Sequence, residues 1–182
     1  ALETKPEKAI KLEKDALALI KEITEENAHL VSNLHSNLGG LYRMNGYPAL
    51  AREHMEKGLF LLEQYNLLYT NDSIPQITNY AMLLTEQQSP EKGISVLQKV
   101  SKIIKEYNSD CNLDYATVQE TLGIIYLMTA NLPQAKTHFK RAFKIYEKIW
   151  ADEPEMIEKK CQEIQELYPQ VGFFLGQQIS NF

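Results

Sequence analysis

Apolar residues recur along most of the chain at helical spacing. Leu38, Leu41 and Tyr42 follow an i, i+3, i+4 ladder, and the same ladder begins again at Leu122. This spacing places the apolar side chains on one face of an α-helix. No segment combines sustained two-residue alternation with hairpin turn signals, so strands are not predicted. The pattern predicts an all-α protein.

The same pattern repeats every 42 residues. Small residues recur in register, as they do where two helices cross closely, and larger apolar residues recur one helical turn away. A repeated unit of this length is typical of an array of helix pairs. The aligned columns are Ala9, Ala51, Gly93 and Ala135; Gly39, Ala81 and Gly123; and Met55, Leu97 and Phe139.

Turn and capping signals divide this array into parts. Gly46 and Asn131 are interpreted as the tight turns between the two helices of their units. Ser73-x-x-Gln76 and Asp152-x-x-Glu155 resemble capping boxes, which mark helix starts. We therefore predict a single domain over residues 1–182, made of the second helix of an incomplete leading repeat at 6–27, repeats at 28–70, 73–111 and 114–151, a capping helix at 152–168 and an apolar tail at 169–182.

The aligned columns resemble the tetratricopeptide repeat (TPR). The 42-residue period and the long second helices are similar to the kinesin light chain variety, which is widespread in bacterial proteins. The resemblance implies a right-handed superhelical solenoid of antiparallel helix pairs with a C-terminal capping helix. The residues that carry it are Gln119, Leu122, Gly123, Tyr126, Ala135, Phe139 and Ala142 in the last unit, and Leu38, Gly39, Tyr42, Ala51 and Met55 in the first.

The resemblance further implies a concave groove, lined by the first helix of each pair, that binds a peptide or a protein segment. Groove side chains lie about 100° around each first helix from its buried stripe. Asn37 and Asn79 are equivalent in this set, and an amide both donates and accepts hydrogen bonds. An ordinary solvated polar face is the alternative interpretation. The predicted contact residues are Asn33, Ser36, Asn37, Gly40, Arg43, Thr78, Asn79, Met82, Glu86, Thr117, Glu120, Thr121 and Ile124.

Composition narrows the class of partner. The net charge is −5 and the lysines are dispersed among glutamates, so we expect no nucleic acid to bind through this domain and no anionic membrane surface. The chain has no run of eighteen apolar residues, and its first residues lack the apolar core of a signal peptide. We therefore expect a cytoplasmic protein. Because the sequence begins with Ala1, it is compatible with the sensory or docking part of a larger protein.

Candidate catalytic chemistry is sparse. Cys111 and Cys161 have no metal or redox spacing, and no HExxH, GxSxG or phosphate-loop motif is present. His54 and His138 share a repeat column, which we interpret as a recurring surface position. The sequence predicts a protein that is not an enzyme and that needs no cofactor or metal.

Three alternatives concern the partner and the C-terminal tail. Chaperone-binding TPR domains use lysines and an arginine at groove positions that are Ser36, Thr117 and Thr121 here, so we do not expect that clamp. A second function is self-association into a homodimer through the apolar tail or the terminal helices. A third is autoinhibition, with the tail folded into its own groove.

Overall fold

The computed structural model describes residues 5–107 and 112–169 of the chain. Within them the backbone forms helices and no strands, so the predicted all-α fold is confirmed. A short 3-10 turn at Asn71–Ser73 precedes α4. The helices are α1 (Lys5–Leu19), α2 (Glu25–Met44), α3 (Pro48–Gln64), α4 (Ile74–Glu86), α5 (Pro90–Tyr107), α6 (Leu113–Met128), α7 (Leu132–Ile149) and α8 (Pro154–Leu167).

The chain divides into two compact units, and the division falls within α5. Unit 1 comprises residues 1–97 and therefore holds α1 to α4 and the first part of α5. Unit 2 comprises residues 98–182, with the rest of α5, α6, α7 and α8. The organisation of the whole chain as a single domain stays a prediction. The predicted apolar tail beyond Pro169 lies outside the described residues.

In unit 1 the small-residue columns bring α2 and α3 into close contact. A Cβ atom added to Gly39 would lie 2.5 Å from Met55 Cγ and 3.1 Å from the Ala51 carbonyl oxygen. A Cβ atom added to Gly58 would lie 3.0 Å from the carbonyl oxygen of Ser32. The Ser32 hydroxyl also donates to the Gly58 carbonyl at 2.9 Å. Any larger side chain at these positions would push the two helices apart. The glycines therefore set the helix spacing that the repeat requires.

Unit 2 uses the same columns between α6 and α7. A Cβ atom at Gly123 would lie 3.1 Å from three atoms of the Phe139 ring. Phe139 is buried, as are Ala116 and Ala142 on the same two helices. The position of Met55 in the first pair is thus occupied by an aromatic ring in the third. The sequence columns correspond to the same helix crossing in both units.

The turn inside each helix pair recurs with the 42-residue period. The left-handed backbone residue is Gly46 in the first pair, Gln88 in the second and Ala130 in the third, with φ of 77°, 60° and 57°. In each turn the next N–H donates to a carbonyl five residues earlier, as from Asn131 to Tyr126 at 2.8 Å. This is the Schellman pattern that ends a helix. Asn131 was predicted to be the turn residue, but it is the N-cap of α7, and Ala130 makes the turn.

Two predicted helix boundaries are wrong. The leading helix, predicted over 6–27, ends at Leu19. The Asn27 side chain bonds to the segment between α1 and α2. Its Oδ1 accepts from the Thr24 N–H at 2.8 Å, and its Nδ2 donates to the Glu22 carbonyl at 2.9 Å. These bonds stabilise a non-helical segment and let α2 begin at Glu25, a turn earlier than expected.

Neither predicted capping box forms. Ser73 is in helical conformation, and its hydroxyl donates to the carbonyl oxygens of Leu68 and Thr70 instead of capping α4. The N-cap residue of α8 is Glu153, one residue after Asp152, and it makes no side-chain cap bond. α8 buries Ile157, Cys161 and Ile164, the single apolar stripe expected of a capping helix.

Candidate binding surfaces

In unit 1, α4 leaves one narrow stripe exposed. Pro75, Asn79 and Glu86 are exposed and Met82 is half-buried, whereas most of the other α4 residues are buried. These four residues lie within about 60° of one another around the helix, at 100° per residue. Three of them belong to the predicted contact set. Thr78 does not fit that set as an exposed residue, because its side chain is 7% exposed and its hydroxyl donates to the Pro75 carbonyl at 2.9 Å.

The predicted residues of α2 lie beside this stripe. Asn33 Oδ1 accepts a hydrogen bond from Gln76 Nε2 of α4 at 2.8 Å. At the other end, Arg43 Nη2 lies 2.8 Å from Glu86 Oε1. The structure therefore brings the two helices' predicted residues onto one surface. We call this the α2–α4 surface, formed by Asn33, Ser36, Asn37, Gly40, Arg43, Asn79, Met82 and Glu86.

The two equivalent asparagines differ in their surroundings. Asn37 is exposed, but its Nδ2 donates to Glu13 Oε1 of α1 at 3.0 Å. Asn79 is exposed on the α4 stripe. Gly40 belongs to the same predicted set, and a Cβ atom added there would meet nothing within 4 Å. The surface around Gly40 is thus open to an incoming chain.

A buried polar link beneath this surface was not predicted. Gln76 is buried, and besides Asn33 it contacts the buried hydroxyl of Ser32 through its Oε1. Ser32 also bonds to the Gly58 carbonyl of α3. The link joins α2, α3 and α4 and satisfies polar groups that would be costly to bury alone. The only pattern that the sequence shows at Gln76 is the capping box, so Gln76 was assigned a capping role that it does not have.

In unit 2 the predicted contact residues are mostly occupied by the chain itself. Thr121 is 7% exposed and its hydroxyl donates to the Thr117 carbonyl at 2.9 Å. The Thr117 hydroxyl donates to the Leu113 carbonyl, also at 2.9 Å. Ile124 and Thr117 are half-buried. Thr121 therefore does not fit the predicted role of an exposed contact.

Glu120 is held by α7 and α8. The Tyr146 hydroxyl donates to Glu120 Oε2 at 2.6 Å, and Lys160 Nζ lies 3.3 Å from Glu120 Oε1. Burial, followed by the charge of Glu120, raises the pKa of Tyr146 above its usual value, so the phenol stays protonated and donates. A carboxylate this covered needs a cation and hydrogen bonds to compensate its desolvation. Glu120 is a link to the capping helix and not a free contact residue.

The histidines of the shared column are not a recurring surface position, so that interpretation is wrong. His54 is half-buried and its ring stacks on Tyr42, and His138 is buried and stacks on Tyr126. His54 Nδ1 lies 2.9 Å from His35 Nδ1, and His138 Nδ1 lies 2.8 Å from the Oε1 of Gln119. The column is a recurring internal contact between the two helices of a pair.

Burial keeps these rings neutral. Desolvation, followed by His54 and Lys57, lowers the pKa of His35 to about 4. Desolvation, followed by Arg141, lowers the pKa of His138 to about 4. The pKa of His54 is also lowered, chiefly by burial. All three rings are therefore uncharged near neutral pH.

Other chemistry is limited within the described residues. No three His, Cys, Asp or Glu side chains there lie close enough together to hold a metal ion. The Cys161 thiol is buried, and burial raises its pKa to about 11. Within the same residues, no helix has both the length and the apolar character needed to cross a membrane.

The packed helix pairs define an α-helical repeat protein. Residues 73–148 match the tetratricopeptide repeat family. The structure is similar to BtubC (BKLC) from P. vanneervenii, with a TM-score of 0.67 and 20% sequence identity over 79% of this chain and 56% of that one. The chain thus spans little more than half the length of BtubC. No curated protein sequence gave a significant match.

A second similarity is to a putative kinesin light chain from Podosopora anserina with nearly identical TPR-like repeats. Two crystal structures of it align with TM-scores of 0.69 and 0.66 and 15% identity, over 81% and 80% of this chain and 69% of that one. The recognition of tetratricopeptide repeats of the kinesin light chain-like kind is confirmed. Such repeats are typically non-enzymatic scaffolds that commonly mediate contacts between proteins.

Proposed function

We propose that the α2–α4 surface of unit 1 binds an extended segment of a partner protein. The observation that supports this most is the exposed stripe of α4 beside the polar residues of α2. Asn79 and Met82 project from α4, and Asn33 and Asn37 from α2, around the open position at Gly40. A strip of this kind can follow a chain in extended conformation.

The side chains of this surface favour main-chain recognition. Asparagine amides donate and accept, so they pair with the peptide groups of a partner whatever its side chains. Met82 is a flexible apolar contact that adapts to different side chains. The exposed Arg43–Glu86 pair is worth at most about 1 kcal/mol, so both charges can be recruited to a partner at little cost. Because each such bond is worth only about 1 kcal/mol, we expect modest affinity, on the order of micromolar or weaker.

Fewer of the predicted contact residues are accessible in unit 2. Glu120 is engaged by Tyr146 and Lys160, and Thr121 is buried. Ile124 and Thr117 are the predicted unit 2 residues that remain half-exposed. The main contacts are therefore assigned to unit 1.

Phage display of random peptides on the full chain, followed by calorimetry, tests this function. We expect Asn79→Ala to weaken selected peptides about fivefold, which corresponds to the loss of one hydrogen bond. Glu63→Ala, an exposed change on α3 away from the surface, is the matched control and should leave affinity unchanged. Equal capture by wild type and by the double variant Asn37→Ala/Asn79→Ala would remove the proposed site.

Self-association is the second candidate, and one observation favours it. Leu12 and Leu19 lie on the same face of α1, two turns apart, and are 68% and 82% exposed. Exposed leucines on one face of a helix are suited to packing against a second copy. Light scattering of the full chain, compared with Leu12→Gln/Leu19→Gln, tests this: a dimer that becomes a monomer supports it, and a wild-type monomer rejects it.

A further inference from the structure

Unit 2 contains a cleft between α5, α6 and α7 with a volume of about 580 Å³. This volume falls in the range of ligand-binding clefts. α6 contributes Gln119, Leu122 and Tyr126, which lie on the opposite side of that helix from Thr117, Glu120 and Ile124, at 100° per residue. The cleft is therefore a different site from the surface proposed above.

The base of the cleft is a rigid polar network. Gln119 is buried, its Nε2 donates to the Ser101 hydroxyl of α5 at 3.0 Å, and its Oε1 lies 2.8 Å from His138 Nδ1 of α7. The His138 ring stacks on Tyr126 with the centroids 5.3 Å apart. One side chain thus ties the three helices together below the cleft. A site preformed in this way loses little entropy when a ligand binds.

The charges that line the cleft are all positive. Lys102 and Lys105 line it from α5 and Arg141 from α7, and none of its lining residues is Asp or Glu. This contrasts with a chain whose net charge is −5. His138 is neutral near neutral pH, as its lowered pKa of about 4 indicates, so the positive charge comes from the three cationic side chains.

Lys102 and Arg141 keep a positive charge that a ligand can use. Glu106 lies 3.8 Å from Lys102 in a mostly exposed pair on α5, which solvent screens. Lys105 Nζ lies 5.8 Å from the centre of the Tyr115 ring. Arg141 is exposed, and it forms no ion pair with any residue that the structure describes. The cations therefore line the cleft from two different helices.

The remaining lining groups favour a peptide over a simple anion as the ligand of the cleft. Gln98, Asn131 and Gln134 are exposed amides at the cleft, and amides pair with both the N–H and the C=O of a peptide. Tyr126 adds apolar area that inorganic phosphate cannot use. We propose that this cleft binds an acidic peptide segment, with its carboxylates paired to Lys102 and Arg141 and its backbone to the amides.

Nuclear magnetic resonance titration of the full chain with blocked tetra-glutamate, blocked tetra-glutamine and pyrophosphate tests this proposal. We expect tetra-glutamate to shift the side-chain amide signals of Gln98, Gln119 and Gln134, and tetra-glutamine to leave them in place. Arg141→Gln should weaken tetra-glutamate binding about tenfold, as the loss of a charge-assisted bond predicts. The matched control is Lys140→Gln, an exposed change of equal charge on α7 outside the cleft, which should have little effect.

Three outcomes would overturn the proposal. They are equal shifts with both peptides, equal weakening by Arg141→Gln and Lys140→Gln, and shifts with pyrophosphate but not with tetra-glutamate, which would mark a small-anion site. Asn79→Ala should leave tetra-glutamate binding unchanged. The outcome is therefore distinguishable from success or failure of the α2–α4 surface.

Discussion

The ring of His138 lies nearly parallel to the ring of Tyr126, with 17° between the planes and 5.3 Å between the centroids. His54 stacks on Tyr42 in the equivalent way, at 26° and 5.4 Å. The partner at Nδ1 differs, because Gln119 stands where the first pair has His35. The first and third helix pairs therefore share a stacked, neutral imidazole between their two helices.

Because these histidines are buried in the neutral form, we expect the protein to lose stability in mild acid. His35 and His138 have folded-state pKa values of about 4, below the ordinary value of 6.5, so the unfolded chain binds more protons between those two pH values. Their contribution is complete above pH 6.5 and is lost as the pH falls from 6.5 towards 4. Urea denaturation across this range should show the unfolding free energy decreasing.

His35→Gln isolates one of these groups. The variant recreates the Gln119–His138 pairing in unit 1 and removes one titrating ring. Because His35 is half-exposed, we expect the acid-induced loss to shrink by only about 1 to 2 kcal/mol. Between about pH 7 and 8 the difference from wild type should be constant, since the ring is neutral there in both states. An unchanged slope below pH 6.5 would contradict the assignment.

Two adjacent glycines of α2 should respond in opposite directions to alanine. Gly39→Ala forces a Cβ atom against Met55 Cγ and the Ala51 carbonyl, so we expect a loss of about 1 to 3 kcal/mol. Gly40→Ala meets open space in a helix interior and should gain about 0.5 to 1 kcal/mol. Thermal denaturation of both variants checks this. A Gly39→Ala variant as stable as Gly40→Ala would refute the close crossing at Gly39.

Ala130→Gly should stabilise unit 2. Ala130 has φ of 57°, a left-handed conformation that costs a residue with a Cβ atom roughly 1 kcal/mol. The equivalent residue of the first pair is Gly46, which adopts φ of 77° without that cost. We expect a gain of about 0.5 to 1 kcal/mol by chemical denaturation. Gly46→Ala is the reciprocal test and should destabilise; a destabilising Ala130→Gly would show that the turn is not strained.

Tyr146→Phe should weaken the attachment of α8. It removes the hydroxyl that donates to Glu120 and leaves a partly desolvated carboxylate, so we expect a loss of about 1 to 2 kcal/mol. Tyr126→Phe is the control, because Tyr126 is half-buried and its stacked ring is retained; its effect should stay within about 0.5 kcal/mol. Hydrogen exchange should locate the loss in α8. Equal effects of the two variants would argue against the bond to Glu120.

The helix pairs could be predicted because their spacing depends on residues within one repeat. Gly39 against Met55 and Gly123 against Phe139 are contacts between neighbouring helices, and the same small and large columns identify them in the sequence. The end of α1 could not be predicted. Leu19 and Ile23 continue the helical spacing, and the break depends on Asn27 bonding back to Glu22 and Thr24.

The candidate surface was predictable in unit 1 and not in unit 2. Helical phase alone identifies Asn79, Met82 and Glu86 as the outward side of α4, and the structure leaves those three accessible. Glu120 has the same phase on α6, but Lys160 of another helix reaches it. The helical pattern around Glu120 does not indicate that a cation some forty residues later will contact it. The cleft at His138 was missed for the same reason, since it needs three helices.

The Glu120–Lys160 pair decides where this chain can be shortened. A fragment that stopped at Trp150 would keep the Glu120 carboxylate and the Tyr146 hydroxyl but lose the ammonium group that neutralises the carboxylate. It would also uncover the surfaces that Ile157, Cys161 and Ile164 now shield. Such a fragment would expose apolar area beside a carboxylate that has lost its cation, and exposed apolar area favours precipitation. Versions intended for crystallisation or ligand screening should therefore extend past Leu167.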